Sequence, residues 1–387
     1  MTDPGEGVRE IARAKLNLRL RVLGRGEDGF HVLETIFLRL ALADAVEVRS
    51  AEAGIELTVE HAPPEDVPAA GAEDRHGTAA GDGQGSLFDD AVAGDAGAAG
   101  AASGDGDDDG PGDVEDGAPE DGGEDGGEGG PTDGGGRNDD PGGDDGDPGG
   151  ESRAARVPEG PENLCWRAAE LFHEAAGRDP GLALRLVKRV PAGAGLGGGS
   201  ADAAAVLRAL SRLHDAPLRR EELFDLAGEL GSDVPFALAD VPAALGWERG
   251  RRLLPLEAPP PRPMLLVVPE VRVSTPDAYG WLDEAREGGG GPAGAGAASL
   301  PAPGELSAWE GLLPTAVNDF EEPVFGRHPQ LGWWKEELLG EGAEAAMLCG
   351  SGSALCGIFG DARRRDAAAD RLREGGEVRV IPTRGPV

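Results

Sequence analysis

Basic residues are in short supply in this 387-residue chain. Thirty-six Lys and Arg stand against 72 Asp and Glu, a net charge of −36. A surface that neutralises a phosphate backbone needs the opposite balance, which argues against nucleic acid as a partner. Cysteine is scarce too. Cys165, Cys349 and Cys356 are an odd number with no Cys-x-x-Cys spacing, which argues against a disulfide framework or a thiolate zinc site and points to reduced thiols. No run of 18 apolar residues occurs, and the opening Met1-Thr-Asp-Pro-Gly-Glu-Gly7 has neither a basic nor an apolar stretch. A membrane-spanning helix and a secretory leader are therefore not expected, and a soluble cytoplasmic protein is.

The acidity is concentrated in one place. Residues 61–150 hold 26 acidic side chains and two basic ones, Arg75 and Arg137, and so carry 24 of the 36 net negative charges. Between 101 and 150, 37 of 50 residues are Gly, Asp or Glu, and Val114 is the one large apolar residue. Such a stretch cannot bury enough surface to offset the entropy of ordering it. Residues 61–157 therefore read as a disordered insert in a surface loop. The Gly-Asp runs suggest calcium-binding repeats, but the nine-residue period and its regular apolar position are missing. Closing even a long loop costs little extra, so the fold on either side can survive the insert.

Glycine is crowded into one stretch. Pro191-Ala-Gly-Ala-Gly-Leu-Gly-Gly-Gly-Ser200 puts Gly193, Gly195, Gly197, Gly198 and Gly199 within seven residues, which would make a poor helix interior or strand. The apolar run 182–187 ahead of it reads as a strand. The Ala/Leu-rich run 201–213 behind it reads as a helix, with Ser200 near its first turn. A helix start carries unpaired N–H groups and a partial positive charge, and bare glycines let a ligand come close; the combination is a seat for phosphate. The loop holds no lysine, so it is not a Gly-x-x-x-x-Gly-Lys-Ser/Thr loop. Arg219 and Arg220 stand where a dinucleotide fingerprint would carry its acid. A flexible linker would seldom join a patterned strand directly to a patterned helix.

Elsewhere the pattern mixes α and β. Strands are expected at 14–22, 34–42, 45–49, 55–59, 264–268, 346–349, 354–359 and 377–381. Helices are expected from 162 onward, at 221–230, 318–321, 331–339 and 361–373. Residues 232–235 read as a loop in which Pro235 turns Val234 away from helical angles. A Gly/Ala/Pro linker is expected at 288–304.

The glycine loop resembles the central motif of the GHMP small-molecule kinases, named for galacto-, homoserine, mevalonate and phosphomevalonate kinase. Gly350-Ser-Gly-Ser353 resembles the family's third motif. Ala14-Lys-Leu-Asn-Leu18, with Asp28-Gly-Phe-His31, resembles the N-terminal signature of its cytidyl-methylerythritol kinase branch. Asn163-Leu-Cys-Trp-Arg167 and Gly231-Ser-Asp-Val-Pro235 fall in the family's order, so the resemblance spans nearly the whole chain outside the insert. It implies an α/β (α+β two-lobed) fold. Residues 8–260 would form a ribosomal-S5-domain-2-like ATP-binding lobe and residues 261–387 a ferredoxin-like lobe, with the active site between them. The implied reaction is ATP-dependent phosphorylation, with Mg2+, of the tertiary 2-hydroxyl of a cytidine diphosphate-linked polyol. That step belongs to the non-mevalonate isoprenoid pathway, and a monomer or homodimer would carry it out.

Phosphoryl transfer asks for positioning and charge neutralisation more than covalent help. The resemblance implies that Pro191, Ala192, Gly193, Ala194, Gly195, Leu196, Gly197, Gly198, Gly199, Ser200 and Ala201 cradle the β- and γ-phosphates, with Asn163 and Lys188 beside the nucleotide. Asp233 would be the general base. Lys15, a cation on an otherwise apolar strand, is costly unless paired, and an ammonium there would keep Asp233 ionised. Asn163 reads equally as a helix N-cap, and Lys188 as a strand-end lysine facing water. Asn17, Phe30 and His31 would face the acceptor substrate, and Gly350, Ser351 and Gly352 would meet the glycine loop. Phe30 stands where the branch has tyrosine, Val32 where it has glutamate, Leu245 near its second aromatic and Arg251 at an acid. Trp247 is the residue offered for that second aromatic wall. Magnesium ligands are not readable beyond Ser200. Two rival readings stay open: another GHMP kinase of homoserine or mevalonate type, and a non-catalytic acidic protein that binds cations or partners on a kinase scaffold.

Overall fold

The computed structural model describes residues 7–26, 29–66, 157–248, 250, 252–287, 300–375 and 378–387. All of them lie in one compact unit that runs over Met1–Val92 and Ala155–Val387. Most of the expected insert, 67–156, and the linker 288–299 therefore lie outside the described residues, as does Arg251. The part of the insert that is described is structured at its edges. Asp66 pairs with Leu42 in a β-bridge and accepts a hydrogen bond from Thr383 Oγ1 at 2.6 Å.

The chain opens with three strands, β1 (Val8–Arg25), β2 (His31–Ser50) and β3 (Gly54–His61). After the insert come α1 (Leu164–Ala176), β4 (Gly181–Lys188), α2 (Gly198–Leu213), α3 (Arg220–Leu230) and α4 (Val234–Ala239). Then follow β5 (Ala243–Glu248), β6 (Arg252–Pro255), β7 (Arg262–Val268), α5 (Thr275–Glu287), α6 (Trp309–Leu312) and β8 (Val317–Asn318). The last elements are α7 (Glu321–Arg327), α8 (Pro329–Gly340), β9 (Ala345–Leu348), β10 (Leu355–Ile358), α9 (Ala362–Glu374) and β11 (Arg379–Gly385).

Two sheets organise these elements. The first runs β3-β4-β2-β1-β8, with β5 on β2 and β6 on β5; the second is an antiparallel β11-β7-β10-β9 sheet. β2 is one strand where two were expected, because no turn residue interrupts it. Its first half pairs with β5 and its second half with β4. Leu16, Leu18, Leu38 and Leu40 of the first sheet pack against Met264, Leu266, Cys356 and Ile381 of the second, all buried. Each such leucine is worth roughly 1.5–3 kcal/mol, so the two sheets hold one shared core. The three cysteines are free and buried.

Two expectations need correcting. Residues 232–235 are not all loop: Val234 and Pro235 open α4, because proline is tolerated in a first helical turn where its missing N–H has no partner to lose. Asn318 does not start a helix. It sits on β8, paired in parallel with Leu20 of β1, and the helix begins at Glu321.

Candidate active site

α2 is wedged into the molecule. Ala201, Ala203, Ala204, Ala205, Val206, Leu207, Ala209 and Leu210 are all buried, so small side chains on nearly every face let it lie close to β1, α1 and α4. Its N-terminus emerges from the glycine loop. Gly197, the N-cap, has φ +68° and no side chain to cap the first N–H groups, which leaves them for a ligand. A Cβ at Gly197 would sit 2.8 Å from Lys15 Cγ and Cε. One at Gly195 (φ +78°) would sit 1.8 Å from the Cys349 carbonyl oxygen. Only glycine fits there.

A cleft of about 670 Å³ opens on this loop. Pro191 through Ser200 line it, together with Lys15, Asn17, Thr35, Asn163, Lys188, Asp202, Asp233, Thr275, Tyr279, Gly350 and Ser351. Ala201 is buried behind the loop and does not line the cleft; nor does Gly352, unlike Gly350 and Ser351 of the same motif.

Lys15 stands at the centre. Ala14, Leu16 and Leu18 of β1 face the inter-sheet core, so the period-two alternation puts Lys15 and Asn17 on the other face, in a stretch flanked by register shifts in the β1–β2 ladder. The Lys15 ammonium is 3.1 Å from Asp233 Oδ2 and donates to Asn17 Oδ1 at 2.6 Å and to the Gly195 carbonyl at 3.1 Å. Its three N–H donors are thereby used. Asn17 is fixed in turn by donating to Thr35 Oγ1 at 2.9 Å. Asp233 precedes α4 but makes no side-chain cap. Its carboxylate, 31% exposed against 8% for the lysine side chain, is the half of the pair open to the cleft.

Lys188 is not a solvated strand end. It is buried between Asp44 Oδ2 at 2.5 Å and Asp202 Oδ2 at 2.7 Å. Burial works to lower its pKa, but the two carboxylates outweigh it and hold the ammonium above its ordinary range. Burial also pushes the Asp202 carboxyl up; Lys188 opposes that rise and Asp44 adds to it. Asp202 Oδ1 is buried with no hydrogen-bond partner although its residue lines the cleft. Asp44 Oδ1 accepts from the Arg189 N–H and from the Val190 N–H, the latter at 2.8 Å. Asp44 thus anchors the backbone just ahead of the glycine loop. Asn163 caps α1, accepting from Cys165 N at 2.8 Å and donating to the Pro158 carbonyl at 2.6 Å, and it lines the cleft as well.

At the far end, Asn318 donates to the carbonyls of Leu348 and Gly350, at 2.9 and 2.7 Å, and so holds the third motif in place. Ser351 Oγ meets Thr275 Oγ1 at 2.9 Å. His31 does not line the cleft; its ring stacks on Tyr279, which does, at 4.4 Å between centroids and 22° between planes. Tyr279 meets Phe320 edge-on, and burial, with a smaller contribution from Asp233, raises its phenol to about 12. Phe30 is 53% exposed and also stands outside the cleft lining. Trp247 on β5 is not in the lining, and Leu245 packs against the inter-sheet core. Tyr279 reaches the cleft, as do Phe37 and Phe320.

Sequence reasoning missed Asp44, Asp202, Thr275, Tyr279 and Asn318. A signal existed for three of them. Asp202 is the one charged residue in an alanine run, and Thr275 and Tyr279 are four apart on α5, hence on one face. Asp44 and Asn318 carried none. Among the described residues no group of three or more carboxylate, imidazole or thiol side chains is placed to hold a metal ion. Nor is any helix there long and apolar enough to cross a membrane.

Known proteins share this arrangement. The model of the GHMP kinases N terminal domain matches residues 163–246, and that of the GHMP kinases C terminal matches residues 302–378. A 4-diphosphocytidyl-2-C-methyl-D-erythritol kinase from Symbiobacterium thermophilum is 40% identical over 224 residues, 58% of this chain and 78% of its own. One from Anaeromyxobacter dehalogenans is 42% identical over 229 residues, 57% of this chain and 69% of its own. The crystal structure of a 4-(cytidine 5'-diphospho)-2C-methyl-D-erythritol kinase superposes with a TM-score of 0.61 at 29% identity, covering 98% of this chain and 99% of that one. A homoserine kinase from Cytophaga hutchinsonii, at 14% identity and a TM-score of 0.56, shares the fold.

Proposed function

Because the chain belongs to the GHMP kinase family, and within it to the 4-diphosphocytidyl-2-C-methyl-D-erythritol kinases, we propose that it transfers the γ-phosphoryl group of ATP to the 2-hydroxyl of that cytidine diphosphate-linked polyol. The reaction is a step of the non-mevalonate route to isoprenoid precursors and runs in the cytoplasm. The observation that carries this reading is the Lys15–Asp233 pair, 3.1 Å apart, in the cleft that the glycine loop lines.

The loop's open N–H groups and the start of α2 would take the β- and γ-phosphates. Asn163, Lys188 and Asp202 line the nucleotide side, and the unpartnered Asp202 Oδ1 is an acceptor for a nucleotide donor. Asp233 would accept the proton of the acceptor hydroxyl as its oxygen attacks phosphorus, while the γ-phosphate leaves ADP. Lys15 aims that carboxylate, since its other two N–H bonds go to Asn17 and Gly195 and leave it one orientation. Tyr279, Thr275 and Asn17 would face the acceptor, and Gly350 and Ser351 line the same cleft. Ser200 and Asp202 supply hard oxygens at the first turn of α2, which fits a magnesium ion bound mainly through phosphates and water. Bound there, the ion would neutralise phosphate charge.

In this reading residues 8–260 act as the ATP-binding lobe and 261–387 as the partner lobe, which the two sheets and the two matched domains support. Every residue invoked lies on one chain, so a monomer, or either subunit of a homodimer, carries a whole site. The test is a substrate panel. Purified protein with ATP should phosphorylate 4-diphosphocytidyl-2-C-methyl-D-erythritol and leave homoserine and mevalonate untouched; preference for either of the latter would overturn the reading.

A further inference from the structure

Lys15 is the first member of a chain of hydrogen bonds that ends on the backbone of its own strand. Its ammonium donates to Asn17 Oδ1 at 2.6 Å, Asn17 Nδ2 donates to Thr35 Oγ1 at 2.9 Å, and the Thr35 hydroxyl donates to the Arg19 carbonyl at 2.7 Å. Lys15, Asn17 and Thr35 are all buried. The β1–β2 register slips by one residue here, between the pairs Asn17–Phe37 and Arg19–Ile36. Such a slip disrupts the ladder locally, and the Thr35 side chain bonds to the backbone at that point.

The chemistry of the groups fixes the direction of every link. An ammonium only donates, so Asn17 must show it the amide oxygen. A backbone carbonyl only accepts, so the single Thr35 hydrogen is committed to Arg19 and the hydroxyl oxygen is left to accept. The Asn17 amide therefore has one orientation. Turned over, it would set its NH2 group against the ammonium and its oxygen against a lone pair. We propose that Thr35 is a positioning residue for phosphoryl transfer: through Asn17 it holds the Lys15 ammonium, and with it the Asp233 carboxylate 3.1 Å away, in the reactive arrangement. Thr35 lines the cleft, but its one hydrogen is spent on Arg19, so it has none to donate to a substrate. The inference rests on the proposed role of Asp233 as the base, and it adds an uncharged residue of β2 to the machinery.

Valine has the shape of threonine with a methyl group for the hydroxyl. Thr35→Val therefore keeps the packing but leaves the Asn17 NH2 group without its acceptor and the Arg19 carbonyl without its donor. Thr35→Ser keeps the hydroxyl and with it both links. Asn17→Ala removes the member through which Thr35 would act.

The test uses the full chain with ATP and 4-diphosphocytidyl-2-C-methyl-D-erythritol. In Thr35→Val, kcat should fall by about tenfold to a hundredfold, the cost of a small misplacement at a reactive pair. The KM for ATP should stay within about twofold, since the substitution does not touch the glycine loop. Thr35→Ser should bring kcat back to within about threefold of wild type, because its hydroxyl has the same donor and acceptor. In an Asn17→Ala background, Thr35→Val should change kcat by less than about twofold, as the link is already cut. Thr35→Ala, which also lacks the hydroxyl, carries the same predictions where valine is not accommodated. A readout free of substrate is the Asn17 side-chain amide, assigned in 15N–1H spectra by its loss in Asn17→Ala. Its hydrogen bonded to Thr35 should exchange with solvent about tenfold or more faster in Thr35→Val than in wild type. Full kcat or unchanged amide exchange in Thr35→Val overturns the proposal. So does a loss of rate that serine does not reverse, or one that persists undiminished in the Asn17→Ala background, which is what a threonine needed only for packing or for direct substrate contact would give. If wild type phosphorylates a different alcohol, the reading of the acceptor fails, and the same kcat pattern with that alcohol upholds the role of Thr35. If it phosphorylates none, both fall.

Discussion

Only three lysines occur in the chain, at 15, 188 and 335, and two of them are buried at the cleft with carboxylates on them. An ammonium is tolerated there because carboxylates pair it, Asp233 for Lys15 and both Asp44 and Asp202 for Lys188; removing a partner strands charge. Glycine is equally unforgiving at one position. Gly195→Ala would drive a methyl into the Cys349 carbonyl at a left-handed φ, and a loss of about 1–3 kcal/mol is expected from urea unfolding. Tyr279 is the chain's single tyrosine, so absorbance near 295 nm reports it alone. Its phenol lies above the ordinary value, at about 12, so phenolate should be absent at pH 10 while the protein is folded. A folded pKa above the unfolded one also means that stability falls as the pH rises from about 10 through about 12. A titration centred near 10 in folded protein would contradict the burial described. Glycine and lysine were legible in the sequence because each breaks a local pattern. Tyr279 breaks none: its spacing from Thr275 sets the two on one face of α5, but that face looks like core until the cleft is seen to open on it.

At the scale of elements, the site is a joint between β2, β4 and α2. Asp44 on β2 binds the backbone of residues 189–190 and the Lys188 ammonium, which reaches Asp202 on α2. The glycine loop is therefore held at both ends by one buried three-residue link. Asp44→Ala should cost about 3–5 kcal/mol of stability by chemical denaturation, because it leaves a buried charge half-paired and two N–H groups bare. An undiminished denaturation midpoint would show that the link is dispensable. The strand–loop–helix succession around the loop was legible because composition changes abruptly at each end. The link was not. Asp44 looked like the gap between two short strands, and the pairing of β2 with both β4 and β5 depends on partners distant in sequence. Proline misled in the opposite direction at α4, where Pro235 allows the helix that it was expected to prevent.

For the whole molecule, two sheets share one core and the cleft draws on both halves of the chain. The N-terminal half brings Lys15, the glycine loop and Asp233; the C-terminal half brings Tyr279 and the loop at 350 that Asn318 holds. Order, element type and the position of the glycine loop came through in the sequence, since they depend on local periodicity. The pairing of β8 with β1 and the reach of α5 into the cleft did not, since these are contacts between distant segments. All residues assigned to the site lie outside 67–156. Replacing residues 70–152 with a short Gly/Ser linker should therefore leave kcat within about threefold in a steady-state assay, as loop-closure cost varies only slowly with length. A loss of a hundredfold or more would give the acidic segment a part in turnover. The most direct measurement for the account as a whole is single-turnover phosphoryl transfer to 4-diphosphocytidyl-2-C-methyl-D-erythritol by Asp233→Asn. The rate should fall by about 10²–10⁴ with ATP affinity little changed, as loss of a general base requires; a rate equal to wild type would contradict it.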